Sequence, residues 1–393
     1  MIKEIELKRL KSFKDSGKLC FSSINLLTGK NGRGKSTVLQ SMLLLAQSFD
    51  AEKGVDRLVL NGQFVRLGTF DDVIRRGSGI QNFSIAYKTD DDVDNAIICE
   101  FEKDKDDLRS AAFHELTING NSKMETVSSE ILTTENGEWI TAEDGAPLLL
   151  ESRERTVGTT SDVMGFRQLM NIIFISADRE GGKDSVKTNR SWNKQMGVGI
   201  HGEYVMNMLE VSTQEERDAI NKWLSNVLDG GYVRTEANPD NEEISMYIDP
   251  AGSGKGFKPS NVGFGYSYIL SILTAMLMAR KGAKLMVENP EAHLHPAAQA
   301  RLVKVMVEIA KEKDMQVFIE SHSDHVLHGL QLAVMGGSIS HDELSVLFFD
   351  FDNMEPNLTV VHQLEVTSNG HIRKPPYGFF DQAEQDLSLL IGL

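Results

Sequence analysis

The sequence predicts an α/β fold whose core is split by an inserted β-rich lobe and a helical lobe, and three observations carry that prediction. A glycine-rich loop, GKNGRGKST from Gly29 to Thr37, stands between an apolar strand and an apolar helix. A second apolar strand, LMV at 285–287, delivers Glu288 about 250 residues later. Between them the texture changes from short alternating runs broken by Gly, Asn and Asp to amphipathic helical segments, so the intervening chain forms lobes of its own.

Taken in order, the first thirty residues read as short alternating strands. FSSINLLTG then reads as a buried strand and TVLQSMLLLAQSF as a buried helix. The loop between them matches GxxxxGK[ST] at Gly29, Gly34, Lys35 and Ser36, a match expected by chance in roughly 1 to 2% of chains this long at average glycine content. Glycines are needed because successive backbone N–H groups must turn inward around phosphate oxygens. Asn31, Gly32 and Thr37 complete the cradle. Lys35 would reach the β and γ phosphates, and Ser36 a Mg²⁺ ion.

Residues 55–160 then read as a β-rich lobe, with FVRLGTF, FSIAYKT, AIICEFEK and HELTING as its clearest runs. Gln63, within GQFVRLGTF, is a candidate for sensing Mg²⁺; Arg66, Phe70 and Asp71 are no stronger. Residues 161–230 read as a helical lobe, and residues 1–54 and 231–393 as the two parts of the core. Within the second part, Asn261 to Ser267 form a glycine-containing turn with Gly263 and Gly265. That turn opens a long apolar helix, whose free N–H groups and positive dipole end suit an anion. Glu288 sits at the C-terminal edge of its strand, where a carboxylate can hold Mg²⁺ through its water shell. His322 follows another strand, QVFIE, placed to contact a γ phosphate or polarise water.

Composition narrows the function classes. A formal charge of −16 over 393 residues opposes a broad, sequence-independent grip on nucleic acid. The basic stretch Arg179, Lys183, Lys187, Arg190 and Lys194 is a local exception, read first as a solvated loop. Two cysteines, Cys20 and Cys99, build no disulfide framework, and no apolar run reaches the roughly 18 residues needed to span a membrane. A cytoplasmic setting is expected.

With TGKNGRGKST, NVGFGYS, ENPEAHLHP and ESHSDHVL in this order, the chain resembles the ABC-type ATPases of the RecF, SMC and overcoming-lysogenization-defect group. Its segment 369–387, with Gly-Phe-Phe-Asp-Gln at Gly378 to Gln382, resembles the tail of a bacterial subfamily without a Toprim nuclease domain. The resemblance implies an ABC-ATPase head of the P-loop NTPase class with ATP and Mg²⁺ as cofactors. It also implies a head-to-tail dimer or higher assembly, in which Asn261, Gly263, Gly265 and Ser267 complete the partner's nucleotide site. Members of the group serve as ATPase subunits of anti-phage defence, controlling an effector such as a nuclease encoded nearby. A RecF- or SMC-like role in DNA repair or chromosome maintenance is the alternative, with direct nucleic-acid binding not favoured.

One departure touches the chemistry. Asn289 stands where the group usually places the water-activating glutamate, and an amide cannot accept that proton. Glu288 or Glu291 must take the role, with His322 beside them, and slow hydrolysis is expected. Three further patterns compete with this reading. AGSGKG at 251–256 imitates a second phosphate loop but lacks a hydroxyl after Lys255. His293, His295, His322, His325 and His328 imitate a metal-ligand set. Asp350 and Asp352 in LFFDFDN imitate a nuclease carboxylate pair, against the simpler reading of a strand ending in a polar turn. Lys11 to Phe13 are expected to border the adenine.

Overall fold

The computed structural model describes residues 1–48, 57–77, 79–90, 96–105, 107–118, 121–125, 171–189, 191–352, 354–355 and 358–391. The chain divides into two units. The first comprises Met1–Ser22, Thr28–Ile172 and Leu347–Gln363, the second Ser23–Leu27, Ile173–Val346 and Leu364–Leu393.

In the first unit the strands β1 (Ile2–Lys8) and β2 (Asp15–Cys20) precede β3 (Ile24–Gly29), which ends at the glycine loop. The helix α1 (Lys35–Ser48) follows, then β4 (Arg57–Val59), the single turn α2 (Phe70–Val73) and strands β5 (Asn82–Thr89), β6 (Ala96–Lys103), β7 (Ser110–Ile118) and β8 (Asn121–Glu125). They form an antiparallel sheet in the order β2-β1-β5-β6-β7-β4, with β8 paired to β7. β1 lies inside it, Ile5 facing Leu19 on one neighbour and Tyr87 on the other. The N-terminal strands thus belong to the same sheet as the β-rich segment that the sequence sets apart from them. Its core is aromatic, with Phe83 5.6 Å from Phe70 and 5.5 Å from Phe101, ring centre to ring centre. α1 is buried almost all round, from Val38 through Leu45, as its unbroken apolar composition demands. The part of the expected β-rich lobe at 126–160 and the start of the expected helical lobe at 161–170 lie outside the described residues.

The second unit is built on a parallel sheet. β13 (Lys284–Glu288) and β14 (Gln316–Glu320) pair in register, Glu288 beside Glu320, and Val317 to Glu320 pair with Ile24 to Leu27 of β3. These strands are buried on both faces and read as continuous apolar runs. β9 (Ile172–Ile175) lies outside β13 at one edge, and β15 (Leu344–Phe351) follows β3 on the other side. The far half of β15 belongs to the first unit and carries β16 (Thr359–Leu364) there. A small antiparallel sheet of β10 (Ser185–Lys187), β12 (Glu243–Asp249) and β11 (Tyr232–Asn238) also belongs to the second unit.

Its helices are α3 (Val205–Glu210), α4 (Gln214–Leu228), α5 (Phe264–Met278), α6 (Pro296–Glu312), α7 (Asp324–Met335) and α8 (Gln382–Ile391). α4 starts on a capping box, Thr213 accepting from the Glu216 N–H. Residues 171–204, expected to be mostly helical, contain β9, β10 and turns. Ile172, Phe174 and Ile175 of that short strand are buried, and tertiary pairing overrides the helical texture around them.

Candidate functional site

The phosphate loop takes the backbone its glycines permit. Gly29, Gly32 and Gly34 have φ of 131°, 71° and 92°, the left-handed half of conformational space that side chains resist. At Gly29 a Cβ would collide with the Phe349 carbonyl, and at Gly34 it would lie 2.6 Å from the Phe13 ring. The Lys35 ammonium bonds the Gly29 and Lys30 carbonyls, each at 2.9 Å, bridging the loop it belongs to. Asn31 and Gly32 are exposed, Thr37 is buried and Ser36 is half-buried at the first turn of α1. Lys11 to Phe13 pack beside this loop: the Lys11 Nζ donates to Gln40 of α1 at 2.7 Å, and burial lowers its pKa.

Gln63 is exposed and lies in a bend closed by the Asn61–Arg66 bridge, not on a strand. Sequence reasoning missed what holds that bend. The Gln47 amide of α1 donates to Val59 O at 2.7 Å and accepts from the Phe64 and Val65 N–H groups at 3.1 and 3.0 Å. One side chain of the helix that follows the phosphate loop therefore fixes the segment carrying Gln63.

The second unit gathers a charged cluster. Arg179, read from sequence as part of a solvated basic stretch, is 3% exposed. Its guanidinium donates to the carbonyls of Ser176 at 3.1 Å, Glu288 at 2.8 Å and Asn289 at 2.5 Å. It also lies 5.0 Å from the Tyr268 ring of α5. Burial lowers its pKa to about 10, against the opposing pull of Tyr268, Glu291 and Glu288. Arg190, from the same stretch, lies outside the described residues.

Asn289 has φ of 44°, and its N–H donates to Glu320 O at 2.8 Å. Asn tolerates the left-handed region better than Glu, so the departure from the usual glutamate has a backbone reason. The Glu288 carboxylate accepts the Ala177 N–H at 3.2 Å, and burial raises its pKa. Glu291 accepts the His322 N–H at 3.1 Å through Oε1, while its Oε2 is buried without a hydrogen-bond partner. The structure thus brings Glu291 to His322, and Glu288 and Asn289 to Arg179.

The Asn261–Ser267 turn is a short 3-10 segment followed by Gly263 as N-cap of α5. That cap carries no side-chain hydrogen bond, and a Cβ on Gly263 would meet nothing within 4 Å, so the helix N-terminus is open. Gly265 packs against the His293 carbonyl, Phe264 is 55% exposed, and Ser267 is buried, its Oγ accepting the Gly182 N–H at 3.2 Å.

The competing patterns resolve into structural roles. The concave N–H groups of AGSGKG are taken by Asp249, which accepts from Ala251 at 3.2 Å and Gly254 at 2.6 Å, so no phosphate is needed there. His293 packs 4.6 Å from the Tyr268 ring centre, His295 caps α6, and His325 and His328 meet edge to face at 6.2 Å. Among the described residues no group of three His, Cys, Asp or Glu side chains could hold a metal ion. Asp352 accepts the Met354 and Glu355 N–H groups as a turn residue, while Asp350 pairs with Lys30.

A phosphate chain fits the glycine cradle of the first unit, where a Cβ has no room at Gly29 or Gly34; in the second unit, taken by itself, the Glu291 Oε2 is a buried acceptor without a hydrogen-bond partner. Mg²⁺ is commonly held by one or two protein oxygens together with phosphates and water, so an all-protein cage is not required.

Over residues 1–327 the chain matches the family model described as AAA ATPase domain, and over 339–390 one described as Protein of unknown function (DUF3696). No curated protein matches it. Among solved structures it is similar to an SMC head bound to the C-winged helix domain of ScpA, at 14% identity and a TM-score of 0.52, covering 93% of this chain and 98% of that one. It is also similar to an Smc head domain with an extended coiled coil, bound to the C-terminal domain of ScpA, from Pyrococcus furiosus, at 13% identity and a TM-score of 0.53, covering 99% of both chains. At these identities the likeness concerns the fold, and no described helix is long and apolar enough to cross a membrane. The loop geometry and the family match lead to one conclusion: the chain belongs to the AAA ATPase domain family, with the fold of an SMC-type ABC-ATPase head.

Proposed function

We propose that this protein is an ATPase subunit that binds Mg-ATP, hydrolyses it slowly, and closes head to tail with a second copy to control an effector in anti-phage defence. The observation that carries the nucleotide reading is the phosphate loop between β3 and α1, with Lys35 folded over its carbonyls. In this reading Gly29, Asn31, Gly32, Gly34, Lys35 and Thr37 hold the phosphates, and Ser36, Glu288 and Gln63 serve the Mg²⁺ ion. Bound Mg²⁺ would neutralise charge on the phosphates and on Glu288.

Glu291 is the proposed base. Its buried, unpartnered Oε2 can accept a proton from water, and the His322 main chain fixes its other oxygen. His322 is exposed, a position from which its imidazole can meet a γ phosphate. Asn289 cannot substitute for Glu291, because both of its main-chain polar groups are engaged and its amide does not take a proton. Turnover below about 10 s⁻¹, the enzyme median, follows from this arrangement.

Dimer closure is supported by the open α5 N-terminus, where Asn261 and Gly263 are exposed, Gly265 is half-buried and Ser267 is buried behind them, an arrangement suited to a partner's γ phosphate. The acidic balance of the chain favours a protein effector over direct DNA binding. The test is co-purification from the host with and without ATP. An effector retained in one nucleotide state supports the reading, whereas tight ATP-dependent duplex binding at 150 mM salt without any partner would favour a RecF- or SMC-like DNA role instead.

A further inference from the structure

We infer that Asp350 and Phe351, at the end of β15, are positioning residues that clasp the phosphate loop from outside and set its affinity for the nucleotide. The inference rests on the nucleotide reading above and adds a function to LFFDFDN, a motif that reading leaves unused.

Every contact that defines the clasp lies within the first unit. The base of the loop is fixed by the Lys30 N–H donating to Phe349 O at 2.9 Å, where Gly29 admits no Cβ. From there the strand alternates around Lys30 and Arg33, the two cationic side chains of the Lys30–Gly34 turn. The Lys30 ammonium pairs with the Asp350 carboxylate at 2.6 Å and stands 5.0 Å from the Phe351 ring centre. The Arg33 guanidinium lies over the same ring at 3.6 Å, close enough for a cation–π and stacking contact. Behind the loop Phe13 meets Phe349 edge to face at 6.4 Å and presses its ring on Gly34. Both flanks of the Lys30–Gly34 turn are therefore held by side chains of β15 and of the turn after β1.

The consequence is preorganisation. A phosphate cradle binds through several main-chain N–H groups that must point inward together, and a glycine-rich turn left to itself samples many other conformations. Lys30 and Arg33 sit at either end of Asn31–Gly32, the exposed part of the turn. Pinning both cations to one strand end restricts that part without placing any side chain in the cradle. Asp350 also draws the Lys30 charge outward, so that Lys35 alone crosses the loop. This division of labour requires an acid at 350 and a flat ring at 351. It needs nothing of Asp352, which serves its own turn.

The test uses the full-length chain and fluorescent ATP in the presence of Mg²⁺. Asp350→Asn and Phe351→Leu should each weaken ATP binding about 3- to 10-fold, as expected when a contact worth about 1 kcal/mol no longer preorders the loop. Asp350→Glu and Phe351→Trp, which keep the charge and the ring, should stay within about twofold of the parent. Nucleotide-free melting temperatures of all four should agree within a few degrees, and kcat at saturating ATP should be unchanged. Unaltered affinity in Asp350→Asn and Phe351→Leu would overturn the inference. So would tighter binding, which would mean that Lys30 is withheld from the phosphates rather than placed for them. Equal loss in the conservative and disruptive variants, with matching loss of melting temperature, would reduce the contacts to plain packing. Failure of the parent chain to bind ATP at all would refute the nucleotide reading itself, and the clasp with it.

Discussion

Replacing Arg179 by Met removes a cation that joins the Glu288–Asn289 turn to the end of β9, at nearly constant volume. Three carbonyls lose a charged donor, and each such bond contributes about 1.5–3 kcal/mol. Against that, a guanidinium pushed down to about 10 by burial carries a cost on the order of 3 kcal/mol, which the substitution relieves. The net loss is about 1.5–6 kcal/mol, or roughly 3–24 °C in melting temperature for a unit of this size. Turnover should fall further than stability suggests, by about 100-fold, because displacement of the proposed catalytic carboxylates by an ångström is enough to cost that much. ATP affinity should stay within about twofold, since none of the lost bonds involves the phosphate loop. Arg179→Lys, a single point charge without the planar fork, should recover part of the stability and little of the turnover. The assay is calorimetric melting together with steady-state kcat and KM and direct ATP binding. Turnover like that of the parent chain in a folded Arg179→Met variant would refute the reasoning, as would a loss of ATP affinity as large as the loss of turnover.

Three further outcomes follow from other positions. The raised Glu288 pKa is a penalty on the folded state, whose favourable half is present below the unfolded value of 4.5 and lost as pH rises through the folded pKa. Glu288→Gln should therefore melt higher than the parent chain at pH 8 without Mg-ATP, with the gap closing as pH falls toward 4.5; a gap independent of pH would contradict the burial argument. Asn289→Val should destabilise by about 1–3 kcal/mol and Asn289→Gly by far less, because the position is left-handed; equal melting of the two would remove the backbone account. Gln47→Leu deletes four hydrogen bonds to the 59–65 segment and should raise protease cleavage there at unchanged Lys35-dependent ATP binding, whereas unchanged cleavage would show that Gln47 does not hold it.

What the sequence made legible is what local chemistry dictates. The phosphate loop was readable because close backbone turns demand glycine at fixed spacing, and the parallel strands because double burial forces unbroken apolar runs. Glu288, Glu291 and His322 were readable as polar residues at strand ends, although their mutual geometry was not. Arg179 was hidden by its neighbours: Lys183, Lys187 and Lys194 are surface residues, and only the preceding buried IIFI strand signals that an arginine four residues later turns inward. Gln63 was placed on a strand because its apolar neighbours alternate, but the Asn61–Arg66 bridge folds the segment into a bend. Gln47 left no signal, since its partners are main-chain atoms of a later loop. Asp350 imitates a nuclease carboxylate, against the simpler reading of a strand ending in a polar turn, because carboxylate spacing on a strand end is the same whether the partner is a metal or a lysine.

The central claim is that each chain holds half of a nucleotide site, with Lys35 acting on one copy's ATP and Gly263 on the other's. Lys35→Ala and Gly263→Asp should each be inactive alone, and an equal mixture should regain about a quarter of parental ATPase activity, since half of the dimers then carry one intact site. A mixture as inactive as its components would contradict the shared site, and so would a Gly263→Asp chain that hydrolyses ATP on its own.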